Sequence, residues 1–290
     1  MTDDPQARPD TTQSLAHLRD LDRDSYLAVL LTPAEARMAG AAALGLLNEL
    51  LRIPATVREP AAARLRLAWW TDALARTPGS HSGGAPTTGV AAQPVLRLLA
   101  SFAVQSPDQE RKFQTMLAAT DFATGGEPPR DMAALTGFAD ATWGEAMRLI
   151  HDLAGAPSPG GAFARMAQGV GLSRLLLDLP RWAGHGRLFL PADRLAHHGV
   201  APASAAGSAG LGKVVQEVAQ EARRLLAGPA HPDRVGGGAA ARPITLLAGV
   251  ARRDLGRLQR ADHDPWRVAS DPWPVWRRAG MVWRGLSRRS

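Results

Sequence analysis

The stretch from Val170 to Leu179 places the strongest constraint on how this chain can fold. Read as a helix, it is apolar on almost every side, and Asp178 is its only acidic residue. A helix of this kind belongs in the interior of a bundle. An isolated carboxylate there is costly unless it is paired, hydrogen-bonded or open to a cavity. We therefore predict that Asp178 lines a cavity or lies at a capped helix end, and that Pro180 ends the helix.

The composition of the whole chain favours the same architecture. Long runs of Ala, Leu and Arg suit helices, whereas 6 Phe, 1 Tyr and few β-branched residues leave little material for sheets. The 290 residues, 45% of them apolar, are enough for one large core. We predict an all-α protein in which residues 15–262 form a single large helical bundle. Residues 1–14 are predicted to be a disordered tail, and residues 263–290 a basic, Trp-rich tail.

The composition also excludes several kinds of site. Because the chain has no cysteine, it cannot form disulfides, thiolate metal sites or thiol nucleophiles. Its first residues include acids where a signal peptide needs a basic and then an apolar run, and no stretch of 18 residues lacks both charges and helix breakers. We expect a cytoplasmic location, with a peripheral position on the inner membrane left open.

The formal net charge of +7 is concentrated near the carboxyl end. Residues 242–290 contain 11 Arg and 4 Asp, which accounts for the whole excess. On a helix, several tryptophans of the tail would share one face and several arginines would lie away from it, as in interfacial amphipathic helices. The candidates for docking on a membrane or a partner are Trp273, Trp276, Arg277, Arg278, Trp283 and Arg284. Packing of these tryptophans on the bundle is the alternative, and no motif for nucleic-acid binding accompanies the charge.

Two segments resemble the squalene and phytoene synthase family. Gly169, Gly171 and the Leu177-Asp178 helix end precede Gly-Arg-Leu-Phe-Leu-Pro at 186–191, in the order of the family's second aspartate region. Upstream, RLRLAWWTDAL at 64–74 is similar to the helix that follows the first aspartate region. The resemblance covers about residues 20–286 and implies the isoprenoid synthase fold. It also implies head-to-head condensation of two prenyl diphosphates, with Mg²⁺ held by two acids four residues apart on each of two facing helices.

Both of these acid pairs are incomplete in this sequence. The resemblance places the first pair near Leu51 to Ala55, but the only carboxylates between Ser25 and Thr71 belong to Glu35, Glu49 and Glu59, spaced at least ten positions apart. In the second pair, Asp178 is present and Trp182 occupies the position of the other acid. Mg²⁺ is usually held by carboxylates together with substrate phosphates, so the site that the resemblance implies is missing most of its ligands.

Two other acids, Asp20 and Asp24, have the spacing that places side chains on one face of a helix. They could bind a metal together if they lie on one helix. The alternative interpretation is an acidic helix start, which the helix dipole favours.

We therefore predict a member of this family that is catalytically degenerate and acts as a scaffold or assembly factor. The segments at 47–53 and 58–60 and the carboxyl-terminal ITLLAGVARRDLGRLQRADHDPW resemble the branch that includes the mitochondrial complex I assembly factor and its bacterial relatives. That resemblance implies a protein partner in respiratory complex I biogenesis. We expect no cofactor, and we leave an apolar isoprenoid open as a ligand.

The alternative is an active head-to-head prenyltransferase that uses Mg²⁺ with unusual ligands. In either case the candidate cavity residues are Glu49, Arg52, Arg174 and Asp178. Four or more Asp or Glu side chains converging on one cavity would contradict the non-catalytic prediction.

Overall fold

The computed structural model describes residues 11–76, 93–102, 106–201, 208–228 and 238–269. All regular secondary structure in these ranges is helical, which confirms the predicted all-α class. The helices are α1 (Thr11–Leu21), α2 (Arg23–Leu30), α3 (Ala34–Thr56), α4 (Pro60–Ala75), α5 (Pro94–Ala100), α6 (Pro107–Thr124), α7 (Met132–Ala139), α8 (Glu145–Leu153), α9 (Gly161–Gly184), α10 (Ala192–His197), α11 (Ala209–Leu226), α12 (Arg242–Arg260) and α13 (Pro265–Ala269). A π-helical turn (Asp140–Gly144) joins α7 to α8, and a 3₁₀ turn (Gly238–Ala241) precedes α12.

The long helices α3 and α9 form the centre of the bundle. Helix α3 packs against α1, α6 and α8, while α9 packs against α11, α12 and the π-helical turn. Small residues permit close approach at these contacts. A Cβ atom on Gly171 would lie 2.9 Å from the Cβ of Ala139 and 3.0 Å from the ring of Trp143. The π-helical turn is thereby held against α9, and Trp143 is placed beside the space between α9 and α3.

Both central helices continue through a proline, Pro54 in α3 and Pro180 in α9, and the prediction that Pro180 ends its helix is wrong. Helix α3 runs on to Thr56 and α9 to Gly184. A proline inside a helix loses one backbone hydrogen bond and crowds the preceding turn, at a cost of about 3 kcal/mol. Here the prolines lie near the carboxyl ends of helices whose last turns are packed in the core. Ile53 and Trp182 are each 3% exposed, so their burial offsets the loss.

The helical part of the chain extends beyond the predicted limits of 15–262. Helix α1 begins at Thr11, so residues 11–14 are helical and do not belong to a disordered tail. At the other end, α13 packs on α9 and buries Val268. The docking candidates Trp273, Trp276, Arg277, Arg278, Trp283 and Arg284 lie outside the described residues. No helix of the described ranges combines the length and apolarity needed to cross a bilayer.

A buried arginine ties the carboxyl end of α3 to the segment after α9. Gly186, at φ +77°, makes the turn that leads into Arg187, which is 4% exposed. Its Nη1 donates to the carbonyl oxygens of Pro54 at 3.0 Å and Val57 at 2.8 Å, and its Nη2 lies 3.4 Å from the carbonyl oxygen of Thr124. A cation at the carboxyl end of a helix is favoured by the dipole, and these carbonyls have no helical partner. Burial lowers the pKa of Arg187 from its ordinary value.

Replacing this guanidinium should destabilise the fold strongly. We expect Arg187→Met to lower the free energy of unfolding by about 3 kcal/mol or more, because several buried carbonyl oxygens lose their donor together. Arg187→Lys should recover only part of the loss, since one ammonium group cannot reach all of them. Urea unfolding followed by circular dichroism measures this, with the exposed Arg130→Met as control. A loss no larger than that of the control would contradict the role assigned to Arg187.

Candidate functional site

A cavity of about 410 Å³ opens between the α1–α2 junction, α3, the π-helical turn and α9. Charged and polar side chains outnumber apolar ones in its lining. The lining residues are Asp20, Leu21, Asp22, Arg23, Asp24, Asn48, Leu51, Arg52, Ala55, Thr56, Phe138, Trp143, Arg174, Leu175, Asp178, Arg181 and Trp182. This cavity, hereafter the central cavity, contains three of the four predicted cavity residues: Arg52, Arg174 and Asp178.

Helix α3 presents no acid to the central cavity. Leu51 and Ala55, one helical turn apart, both line it, at the place where the resemblance expects the first acid pair. Asn48 also faces the cavity, and its amide group donates to the carbonyl oxygen of Leu44 at 2.8 Å. This wall of the cavity therefore offers an amide and a guanidinium group, from Arg52, but no carboxylate.

Glu49 is the predicted cavity residue that the structure places elsewhere. Its Oε1 lies 2.7 Å from Nε2 of His17 and 3.4 Å from the side-chain amide of Gln93. It lines a second and more open cavity of about 810 Å³ between α3 and α4, and Arg52 borders both cavities. Glu49 therefore supplies no acid to the central cavity.

Helix α9 contributes one carboxylate at the mouth of the central cavity. Asp178 is 43% exposed, and its Oδ1 accepts a hydrogen bond from Nη2 of Arg181 at 2.6 Å. Of the two predicted environments, an open cavity is the one found, although the site is more exposed than an interior helix suggests. Trp182, one turn further on, is buried and its ring packs against those of Phe138 and Phe189. An apolar ring thus fills the space where a second acid would be needed.

The remaining acids of the central cavity come from the junction of α1 and α2. The chain leaves the helical conformation at Asp22, whose Oδ1 accepts from the backbone N–H groups of Asp24 at 2.8 Å and Ser25 at 3.2 Å. Asp20 and Asp24 therefore belong to different helices, which rules out the interpretation that they bind a metal from one helical face. The acidic helix start is the interpretation that the structure supports, with Asp22 as the cap and Asp24 in the first turn.

Arg174 of α9 holds two of these acids. Its Nη1 lies 3.4 Å from Oδ2 of Asp22 and 3.2 Å from Oδ2 of Asp24, a residue only 1% exposed. Its guanidinium group also lies over the ring of Trp143, 5.8 Å from the centroid. Burial alone would lower the pKa of Arg174, but the carboxylates around it, first Asp22 and then Asp24, raise the pKa above its ordinary value. The arginine is therefore permanently charged.

Four aspartates, Asp20, Asp22, Asp24 and Asp178, line the central cavity, so the number of acids expected to contradict the non-catalytic prediction is reached. Their carboxylates, however, contact different partners. Asp22 and Asp24 contact Arg174, Asp178 contacts Arg181, and Asp20 lies 3.3 Å from Arg19 on the surface. No group of three or more His, Asp or Glu side chains within the described ranges is arranged to hold a metal ion. Four arginines, Arg23, Arg52, Arg174 and Arg181, balance the four acids of the lining. The residues present therefore do not fit the Mg²⁺ site that the resemblance implies.

Several residues of the central cavity were not among the sequence-based candidates. Asp22, Arg23, Trp143 and Arg181 all line it. The closely spaced acids before Tyr26 were the one available signal for the α1–α2 junction. Nothing local in the sequence indicates that this junction meets Arg174, which is about 150 positions further along the chain.

Comparisons with known proteins agree with this fold. The family model described as squalene/phytoene synthase matches residues 18–278. A dehydrosqualene synthase solved in complex with ligand aligns with a TM-score of 0.71 and 13% identity, over 95% of this chain and 96% of that one. The squalene synthase HpnC from Alicyclobacillus acidocaldarius aligns with a TM-score of 0.64 and 14% identity, over 87% and 95%. At these identities the two structures show the fold alone. No curated protein sequence matches the chain.

Arg174 should contribute far more to stability than the other arginine of α9 that contacts an acid in the cavity. We expect Arg174→Met to lower the free energy of unfolding by about 3 to 5 kcal/mol, because it leaves two poorly solvated carboxylates without their cation. Arg181→Met breaks a half-exposed pair with Asp178 and should cost less than about 1 kcal/mol. Urea unfolding of both variants gives the comparison, and equal losses would contradict the central role of Arg174.

Proposed function

Because the chain belongs to the squalene and phytoene synthase family, we propose that it is a catalytically degenerate member that acts as a scaffold or assembly factor. The observation that carries this proposal is the state of the acids in the central cavity. The positions expected to hold metal-binding acids are occupied by Leu51, Ala55 and Trp182, and the aspartates that are present contact arginines.

The physical argument concerns what ionisation of a prenyl diphosphate requires. The negative charge that develops on the leaving group must be neutralised inside the cavity, and metal ions bridging carboxylates and phosphates do this in metal-dependent phosphate chemistry. Mg²⁺ demands near-ideal octahedral oxygen ligands. Here the oxygens of Asp22 are used to cap α2 and to bind Arg174. Recruiting them to a metal would break a helix cap and leave the buried Arg174 with one carboxylate partner, Asp24, instead of two.

A role in respiratory complex I biogenesis is the specific form of the proposal. It follows from the resemblance of the segments at 47–53, 58–60 and the carboxyl-terminal region to the branch that includes the complex I assembly factor. In this role the chain binds a protein partner, and the basic Trp-rich tail contributes to docking on that partner or on the membrane. The central cavity also has apolar walls, Leu51, Trp143 and Leu175 among them, that suit an apolar isoprenoid ligand bound without turnover.

The alternative is an active head-to-head prenyltransferase, and one observation favours it. Four aspartates line a single cavity, three of them at the α1–α2 junction. In this alternative the substrate diphosphate would have to draw Asp178 and the junction acids away from their arginines so that they can bind Mg²⁺.

A turnover assay separates these two functions. The full chain is incubated with radiolabelled farnesyl or geranylgeranyl diphosphate, Mg²⁺ and a reductant, and the extract is examined for C30 or C40 hydrocarbons and their diphosphate precursors. We expect no product above the protein-free control. Product that disappears in Asp178→Ala, with that variant still folded by circular dichroism, would overturn the proposal in favour of the enzyme.

A complementation experiment tests the scaffold role directly. In cells that produce this chain, its deletion should reduce the amount of assembled complex I on native gels and the NADH:ubiquinone oxidoreductase activity of membranes. Asp178→Ala should restore both as fully as the unaltered chain, because a scaffold does not need that carboxylate for chemistry. Unchanged complex I after deletion would contradict the assembly role, and failure of a stable Asp178→Ala chain to complement would contradict the non-catalytic one.

A further inference from the structure

Helix α4 has two apolar faces on opposite sides of the helix, and only one of these faces is buried. Ala63, Leu67, Trp70 and Leu74 pack into the bundle. The opposite side presents Ala61, Leu65, Ala68 and Trp69, with Leu65 73% exposed and Trp69 38% exposed. The spacing of these four residues places them in one stripe along the helix. Nothing in the described part of the chain covers this stripe, hereafter the α4 stripe.

Arginines border the α4 stripe on both sides. Arg64 and Arg66 flank Leu65 in sequence and project to opposite sides of the stripe, while Arg58 lies just before the helix and Arg52 on the neighbouring α3. Within the described ranges, none of these four guanidinium groups has a carboxylate within ion-pairing distance. Four unpaired arginines around exposed Leu and Trp side chains therefore form a positively charged surface with an apolar centre.

A groove beside the α4 stripe concentrates this charge. It is the cavity of about 810 Å³ between α3 and α4, and its walls include Arg52, Arg58 and Arg66 with the rings of Trp69 and Trp70. Its acids are few. Glu49 is already hydrogen-bonded by His17, and Glu59 is the other one. An anionic group of phosphate size would meet guanidinium donors here and an aromatic wall beside them.

We propose that the outer side of α4 is a docking surface for an anionic membrane. In the docked state Leu65 and Trp69 enter the boundary between headgroups and acyl chains, and Arg64, together with Arg58 and Arg66 at the groove, contacts lipid phosphates. Tryptophan suits this depth because its ring is apolar and its N–H can bond to the headgroup region.

A membrane fits this surface better than a second protein does. The exposed apolar part consists of one Leu, one Trp and small Ala side chains, which is less than the core of a stable protein interface. The acid at the end of the stripe, Asp72, lies 3.5 Å from Arg76, so its charge is compensated. The proposal does not depend on whether the chain turns over prenyl diphosphates, and it concerns a different surface from the carboxyl-terminal tail.

Vesicle flotation of the full chain tests the proposal. The chain should float with phosphatidylcholine vesicles that contain phosphatidylglycerol, float much less with phosphatidylcholine alone, and lose binding as NaCl is added. Arg64→Gln combined with Arg66→Gln should weaken binding to the anionic vesicles about tenfold, and Leu65→Ser should weaken it severalfold. The charge-matched control is Arg130→Gln with Arg165→Gln, and the apolar control is Leu30→Ser. Both controls should bind like the unaltered chain.

Circular dichroism first establishes that each variant is folded, and the flotation results then support or overturn the proposal. Loss of anionic-vesicle binding in the α4 variants, with both controls unchanged, supports the proposal. Absence of vesicle binding by the full chain overturns it. Binding that survives in the α4 variants but is lost in a full chain carrying Arg277→Gln, Arg278→Gln and Arg284→Gln also overturns it, because the tail alone would then account for the interaction.

Discussion

The structure around the central cavity depends on the ion pairs between Arg174 and the two acids of the α1–α2 junction. Asp24 is almost fully buried and the Asp22 side chain is only 15% exposed, so neither carboxylate is well solvated. Their charges are tolerable only because a guanidinium group lies 3.2 to 3.4 Å away. The same arginine rests on Trp143, which the π-helical turn presents to α9. One side chain of α9 thus fixes the junction, the turn and the charge of the cavity together.

This arrangement explains why carboxylates alone do not make a metal site. A divalent ion needs oxygens that are free to turn toward one point, and it must compete with any cation already bound to them. In the central cavity each acid has a local task or partner. Asp22 caps a helix, Asp24 and Asp22 neutralise Arg174, Asp178 contacts Arg181, and Asp20 contacts Arg19. The cavity is polar, and its four acids and four arginines are equal in number.

Much of the fold follows from local patterns in the sequence, whereas the site does so only in part. Hydrophobic periodicity within short segments predicts the helices. The spacing of acids within short segments likewise shows that Leu51, Ala55 and Trp182 stand where acids were expected. The Arg174 ion pairs join residues far apart in sequence, and no local pattern encodes such a contact. Tertiary burial also overrides local rules, because the packed last turns of α3 and α9 carry Pro54 and Pro180 inside a helix. Glu49 was assigned to the wrong cavity for a similar reason. The packing of neighbouring helices decides which side of α3 faces the central cavity, and the sequence does not reveal that packing.

The position of Arg52 has a thermodynamic consequence. Its side chain forms part of the wall between the central cavity and the α3–α4 groove. A ligand that draws this guanidinium group to one side withdraws it from the other, so occupancy of the two spaces is linked through a single rotatable group. Such linkage is reciprocal: whatever factor one ligand imposes on the affinity of the second, the second must impose on the first. The two cavities are thereby coupled through one shared guanidinium group.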